Sequence, residues 1–512
     1  MSSWTAGYVT DVGYVYGYYG ELNPLRLRLP FVTKGIAFPK VETACELGFG
    51  QGISVNVHAA ASSTFWAAND FNPAQAGFAQ EMAAAGGANP LITDQSFAEF
   101  LDNKDLPDFD YIGVHGIWSW ISDENRALIV EFVRRKLKVG GVLYISYNAY
   151  PGWAGMLPLQ HLLSLHNQVM GAPGAGILSR LAGATDFANN LMGLDTLFGK
   201  ANPQNIERLK QLHGKDPHYI AHEYFNRNWD PMHFADFAHW LEPAKLEFVG
   251  SAHYLDYVDG INLTAEQQSF LKEIPDPMFR ETTRDFVVNQ QFRRDYWVKG
   301  ARKLSRVEQL KLARESRVIL ATPLKNISLK AKGLRGDADM SATIYNPIID
   351  ALASHKPTTL GQIEQAVQGN PEITFANLLQ AITVLIGSGQ VFPAQDDETI
   401  RKAKKNADRL NAHIVNCALG SADIGYLASP VTGGGHPVGR VQQLFILAFG
   451  KGQKTPEELA NFAWSILAPQ GQRVIRDGVT LADDAENVKE LHQNAVVFIE
   501  EMVPMLKALA II

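Results

Sequence analysis

The run Glu46-Leu47-Gly48-Phe49-Gly50-Gln51-Gly52 carries the strongest chemical signal in the chain. Glycines at alternate positions let backbone approach a ligand closely. A helix beginning just after them would turn its free N–H groups toward that ligand. The dinucleotide fingerprint spaces its last two glycines three apart. Here the third glycine comes one residue early, with Ile53 in the expected place, and an acid precedes the first glycine by two. Asp70 stands 24 positions after Glu46, and a carboxylate there can accept both hydroxyls of a ribose. Phe71 would then lie beside the adenine, and Asp94 with Gln95 near its amino group. Either aspartate alone suits a helix cap equally well; their order after a glycine loop is what singles them out.

Two later segments concentrate aromatic side chains: His115-Gly116-Ile117-Trp118-Ser119-Trp120 and Ser146-Tyr147-Asn148-Ala149-Tyr150-Pro151-Gly152-Trp153. Both follow apolar runs that read as strands, and strand C-terminal ends line the ligand crevice of a parallel sheet. Aromatic faces attract a sulfonium or an ammonium, although core packing accounts for any single ring just as well. Tyr8, Tyr14, Tyr16, Tyr18 and Tyr19 crowd the N-terminus. They read either as a packed lid or dimer segment or as an aromatic wall over a site.

An α/β fold must hold these residues. Strands expected at 42–46, 64–69, 91–93, 110–114 and 142–147 alternate with helices, the last helix capped by Ser122 and stopped at Gly140-Gly141. That alternation implies a parallel sheet covered on both faces. Residues 1–40 form the N-terminal aromatic segment and 41–150 a Rossmann-like core. Residues 151–243 read as a helical insertion. Extended runs at 246–252, 286–288 and 292–298 then supply the final strands of the core within 244–300. The basic stretch 301–340 reads as a linker. Three short helices and a hairpin-like end over 341–395 suggest a winged-helix-like domain, and 396–512 a helical C-terminal domain. Gly433-Gly434-Gly435-His436-Pro437 reads as a turn, since no Lys-Ser/Thr follows it to hold a phosphate.

The glycine loop resembles the E-x-G-x-G-x-G loop of class I methyltransferases. The His115 segment is similar to the H-G-(V/I)-Y-S-W segment of rickettsial outer-membrane-protein lysine methyltransferases, and the Ser146 segment resembles their S-Y-N-x-Y-P-G-W. His222-Glu223-Tyr224-Phe225 with Pro231 and Phe234, and later Phe292-Arg293-Arg294, resemble the methyltransferase regulatory domain. Trp118 departs from the pattern, which has tyrosine there. The resemblance implies a class I Rossmann-like methyltransferase using S-adenosyl-L-methionine. Glu46, Gly48, Gly50, Gly52, Asp70, Phe71, Asp94, Gln95 and His115 would hold that cofactor. It also implies a homodimer and protein acceptors methylated on lysine. Methyl transfer needs the acceptor lone pair about 3 Å from the methyl carbon and in line with the leaving sulfur. Tyr147, Asn148 and His115 are therefore candidates to orient the acceptor or take its proton, and Trp118 to line its channel. A glycan or small-molecule hydroxyl acceptor is the alternative, as is a binding protein without catalysis.

Composition narrows the class further. The 512 residues are 46% hydrophobic and 19% charged, with a formal net charge of −7. That is ample for about three globular domains, and the acidic balance argues against nucleic acid as a partner. Cys45 and Cys417 lack metal-ligand spacing and suit a reducing cytoplasm. The first residues show no basic-then-apolar leader, and no apolar stretch reaches the roughly 20 residues that span a membrane. His218 and His222 share one helical face, but His233 and His239 add no second pair, so no metal site is expected.

Overall fold

The structure, a computed structural model, describes Tyr8 and residues 13–172, 174–212, 214 and 216–512. A short helix α1 (Arg28–Lys34) leads into β1 (Thr43–Leu47), α2 (Ile53–Ala61), β2 (Phe65–Asn69), α3 (Pro73–Gly86) and β3 (Leu91–Thr93). After these come α4 (Phe97–Asp102), β4 (Phe109–Val114), α5 (Asp123–Lys136) and β5 (Leu137–Asn148). Local chemistry starts each helix. Asn72 accepts from the Ala74 N–H with Pro73 in the first turn, Ser96 and Glu99 form a capping box, and Ser122 accepts from Asn125 N–H. The helical insertion follows as α6 (Leu157–Val169), α7 (Ile177–Met192), α8 (Leu197–Ala201), α9 (Pro203–Leu212) and α10 (Pro217–Tyr224). Then α11 (Phe234–Leu241) and β6 (Leu246–Ser251) return to the sheet, which ends with α12 (Asp259–Asn262), α13 (Ala265–Lys272), α14 (Pro277–Val288) and β7 (Phe292–Lys299).

The seven strands lie in the order β3-β2-β1-β4-β5-β7-β6. All neighbours are parallel except β7, which runs antiparallel to both β5 and β6. Such strands are buried on both faces and need near-continuous apolar sequence. One face packs Cys45, Ile112, Ile145, Tyr147 and Trp297 under α5 and α11; the other packs Ala44, Trp66, Tyr111, Tyr144 and Tyr296 under α2 and α3. The order reverses between β1 and β4, the switch point where a crevice opens beyond the strand C-terminal ends.

Three expectations change over residues 123–340. Residues 286–288 are the end of α14, not a strand: Asp276 caps the helix, Pro277 opens it, and left-handed Asn289 (φ 49°) ends it. These end signals override the β preference of Val287 and Val288. The helix after Ser122 stops at Lys136, and β5 runs straight through Gly140-Gly141. Residues 301–340 are structured rather than a linker. They contain α15 (Arg306–Arg314), β8 (Arg317–Leu320) and the hairpin of β9 (Lys330–Gly333) with β10 (Gly336–Asp339). The polar surface of α15 masks the fully buried Val318, Ile319 and Leu320 that follow it.

The next elements are α16 (Ala342–Leu352), β11 (Thr358–Thr359), α17 (Leu360–Val367), α18 (Phe375–Gly387) and β12 (Val391–Pro393). The hairpin-like end at β12 is not a local hairpin, because β12 pairs with the distant β8 in the sheet β11-β8-β12. The C-terminal region comprises α19 (Asp397–Cys417), β13 (Tyr426–Ser429), β14 (Gly434–Pro437), α20 (Arg440–Gly450) and α21 (Pro456–Leu467). A small hairpin, β15 (Ile475–Arg476) with β16 (Val479–Thr480), then leads to α22 (Asp484–Val497) and α23 (Val503–Ala508). The triple glycine expected as a turn is one only at Gly433; Gly434 onward is strand β14, paired with β13. Ile53, Val57 and Met82 share one core with Ala407, Leu410 and Ile414 of α19, so the C-terminal region and the sheet domain bury each other. Among the described residues no helix is long and apolar enough to cross a membrane.

Candidate ligand crevice and its relatives

The β1–α2 connection places the glycine loop at the switch point. Gly48 and Gly52 adopt left-handed φ of 71° and 70° and are tightly covered. A Cβ on Gly48 would lie 2.6 Å from Ile117 Cδ1, and one on Gly52 would lie 2.5 Å from Ala79 Cβ. Gly50 (φ 58°) differs: its nearest neighbour would be Tyr14 Cδ1 at 3.5 Å, and it lines a crevice of about 1180 Å³. The outer two glycines thus let the chain pack closely, while the middle one turns backbone toward the cavity.

Two buried carboxylates face this cavity. Asp70 Oδ2 accepts from Gly50 N–H at 2.9 Å and Oδ1 from Asn72 N–H at 3.0 Å. Burial nonetheless raises its pKa to about 7, against the lowering effect of those two N–H groups. Glu46, at the end of β1, is raised to about 8 by burial and then by the charge of Asp70. Its Oε2 has no hydrogen-bond partner among the described residues. A buried carboxylate oxygen without a partner is costly, so the pair suits a ligand that brings hydroxyl or ammonium donors. Phe71, Ser96 and Phe97 line the same side. Asp94 is exposed and outside the lining, and Gln95 instead accepts from Asn69 Nδ2 through its carbonyl.

Much of the remaining lining is aromatic: Tyr8, Tyr14, Tyr19, His115 and Trp120. His115 stacks on Tyr19 with ring centroids 4.0 Å apart, and its Nδ1 lies 2.7 Å from the Tyr144 hydroxyl. Burial lowers its pKa to about 4, so the imidazole is neutral near pH 7. The expected aromatic wall is therefore divided. Tyr8, Tyr14 and Tyr19 reach the cavity, Tyr16 packs on Phe78, and Tyr18 packs on His58 and Tyr426. Ser96, Phe97 and Gln51, which holds the Tyr14 carbonyl through Nε2 at 3.1 Å, carry no sequence signal of their own beyond nearness to the loop and the acids.

Three residues expected at the chemistry are not in the lining. Tyr147 is buried on the β5 face toward α11, stacked 3.9 Å from Phe237, and its hydroxyl donates to Asp295. Trp118 is fully buried against Phe237 and Trp240. Asn148 is buried; its N–H donates to Ser119 Oγ and its carbonyl accepts from Met232 N–H. Strand alternation explains Tyr147: its neighbours Tyr144 and Ser146 face the other way, and these two contact His115 and Gly116. The histidines do not converge. His222 packs against Tyr8 and Tyr14, His218 meets the Gly13 carbonyl, His233 stacks on Phe286, and His239 pairs with Glu242.

A sheet of order 3-2-1-4-5-7-6, with a glycine loop after its first strand and an acid after its second, has the fold of the class I methyltransferases. The chain is similar to the structure of PKMT2 from Rickettsia typhi in complex with AdoHcy. The two share a TM-score of 0.67 and 17% identity over 94% of this chain and 98% of that one. Residues 216–299 match the family described as "Predicted methyltransferase regulatory domain". The chain is 40% identical over 515 residues to protein sll1526 of Synechocystis sp., covering 99% of this chain and all of that one, and it belongs to that protein's family. A second relative, RP789 of Rickettsia prowazekii, is 25% identical over 54% of this chain and 49% of its own length.

Proposed function

We propose that this chain is an S-adenosylmethionine-dependent methyltransferase that methylates lysine side chains of a protein. The observation that carries the reading is a single crevice with two buried acids on the β1–β2 side and a cluster of rings on the β4 side. S-adenosylmethionine, when bound, would supply an electrophilic methyl group on a sulfonium. The residues fit it. Gly50 gives close backbone approach, Asp70 suits the ribose hydroxyls, and the unpartnered Glu46 oxygen suits a donor of the amino-acid portion. Phe71, Ser96 and Phe97 suit the base.

The chain's own chemistry is then to present a neutral amine. A free lysine has a pKa of about 10.4, and desolvation among aromatic rings lowers it. Tyr14, Tyr19 and Trp120 provide that apolar, ring-lined wall, and neutral His115 can accept a hydrogen bond without adding positive charge. The AdoHcy bound to the Rickettsia typhi protein supports the cofactor. The protein-lysine acceptor and a homodimer rest on the resemblance of the His115 and Ser146 segments, and a cytoplasmic location on the two widely spaced cysteines. The test is transfer from isotope-labelled S-adenosylmethionine in native lysate, with labelled peptides read by mass spectrometry. Methyl-lysine in proteins is the expected product; label confined to sugars or small hydroxyl compounds would overturn the acceptor assignment.

A further inference from the structure

The triple glycine of the C-terminal region plays no part in the crevice, yet it meets the chain that covers it. Residues 13–19 cross the site: Tyr14, Val15, Gly17 and Tyr19 line the cavity. Two hydrogen bonds of its backbone tie this strap to the sheet domain, Gln51 Nε2 to the Tyr14 carbonyl and Tyr19 N–H to Ser54 Oγ at 2.9 Å. Tyr18, between Gly17 and Tyr19, turns the other way. Its hydroxyl lies 3.0 Å from His58 Nε2, and its ring sits 4.9 Å from that of Tyr426 on β13. It fits there only because β14 begins with glycine. A Cβ on Gly434 would lie 2.4 Å from the Tyr18 hydroxyl, and one on Gly435 would lie 3.0–3.1 Å from three ring carbons. Two neighbouring contacts seat the same hairpin: Asn23 Nδ2 donates to the Thr432 carbonyl, and Gln395 Nε2 bridges the carbonyls of Ala61 and Pro430.

We propose that Tyr18 is a positioning residue, keyed into the Gly434-Gly435 face of the C-terminal hairpin, through which that region holds the strap and its Tyr14 and Tyr19 rings over the ligand. The C-terminal region thereby sets how long a nucleoside ligand stays, although none of its residues lines the crevice. This rests on the reading that the crevice binds S-adenosylmethionine and its product.

The test compares Tyr18→Phe, Tyr18→Ala and Gly435→Ala with Gly450→Ala, a control in open space in the same region. Two readouts are taken on the full chain: amide exchange of residues 14–19 without ligand, and AdoHcy release by stopped flow. Loss of one anchoring contact should speed release roughly tenfold. Tyr18→Ala and Gly435→Ala should also raise exchange in the strap while leaving exchange in β1 and β4 unchanged. Tyr18→Phe keeps the ring and should fall between them and wild type. Unchanged strap exchange in folded Tyr18→Ala overturns the proposal whatever binds. Failure of the wild-type chain to bind AdoHcy overturns the cofactor reading instead, and the exchange result still decides the anchor. Global destabilisation, with β1 and β4 exchanging as fast as the strap, would show Tyr18 to be ordinary core and likewise overturn it.

Discussion

Binding of AdoHcy should release protons, because the crevice keeps two acids partly protonated near neutrality. In the ligand-free protein burial puts Asp70 at about 7 and Glu46 at about 8. At pH 7 Asp70 is then about half protonated and Glu46 mostly so. Hydroxyl and ammonium donors from a ligand favour the charged carboxylates. The pair is coupled and titrates jointly, so the expected release at pH 7 is roughly one proton. Affinity should fall with acid by up to about tenfold per proton for each pH unit below that point. The same shift acts on stability. Both values lie above those of the unfolded chain, so the folded protein holds protons the unfolded chain has shed. The pair's contribution to ligand-free stability is greatest below the unfolded carboxyl range and declines as pH rises toward 7 and 8, by about 1.4 kcal/mol per proton per pH unit. Calorimetry at pH 7 in two buffers of different ionisation enthalpy measures the released protons directly. Glu46→Gln mimics the neutral form already present, so it should fold, release markedly fewer protons and flatten the pH dependence of affinity. A wild-type protein whose binding heat is independent of buffer, with constant affinity between about pH 6 and pH 8, would refute the assignment of these acids to ligand donors.

Four further outcomes follow from the geometry. Gly50→Ala would make only an ordinary contact, with Tyr14 Cδ1 at 3.5 Å, but has a left-handed backbone, so it should cost about 1–2 kcal/mol of stability and weaken AdoHcy binding. Gly52→Ala should instead destabilise the fold by more, since its Cβ would stand 2.5 Å from Ala79 Cβ; thermal melts with and without ligand separate the two. Tyr147→Phe removes a donor from buried Asp295 and should cost about 1–3 kcal/mol of stability with AdoHcy affinity unchanged; a large fall in kcat alone would return Tyr147 to the chemistry. A chain ended after Gly300 should lose AdoHcy affinity, because it uncovers the α2–α3 face that packs on α19 and frees Tyr18; gel filtration and calorimetry check this, and full affinity in a monomeric truncation would contradict it.

Much of the sheet domain was legible in the sequence because its signals are local. Glycines at alternate positions, caps such as Ser96 and Ser122, and short apolar runs each act within a few residues, and β1 to β4 lie within a residue or so of where they were expected. The loop and Asp70 were legible for the same reason, since a left-handed turn and a carboxylate after a strand are written in residue type. The side of β5 that Tyr147 occupies was not legible, because a strand buried on both faces is apolar on both, and only the packing of α11 against one of them decides which residues meet the crevice. Nor could sequence reveal that β8, hidden in a basic stretch, pairs with strands some 40 and 70 residues away. The same holds for Tyr18 on Gly434 and Gly435: residues over 400 positions apart meet only once two regions share a core. Sequence thus determined the cradle for a ligand, whose parts are neighbours along the chain, whereas tertiary structure alone decided which rings wall it and what holds its lid, because those contacts arise from the burial of distant apolar faces against each other.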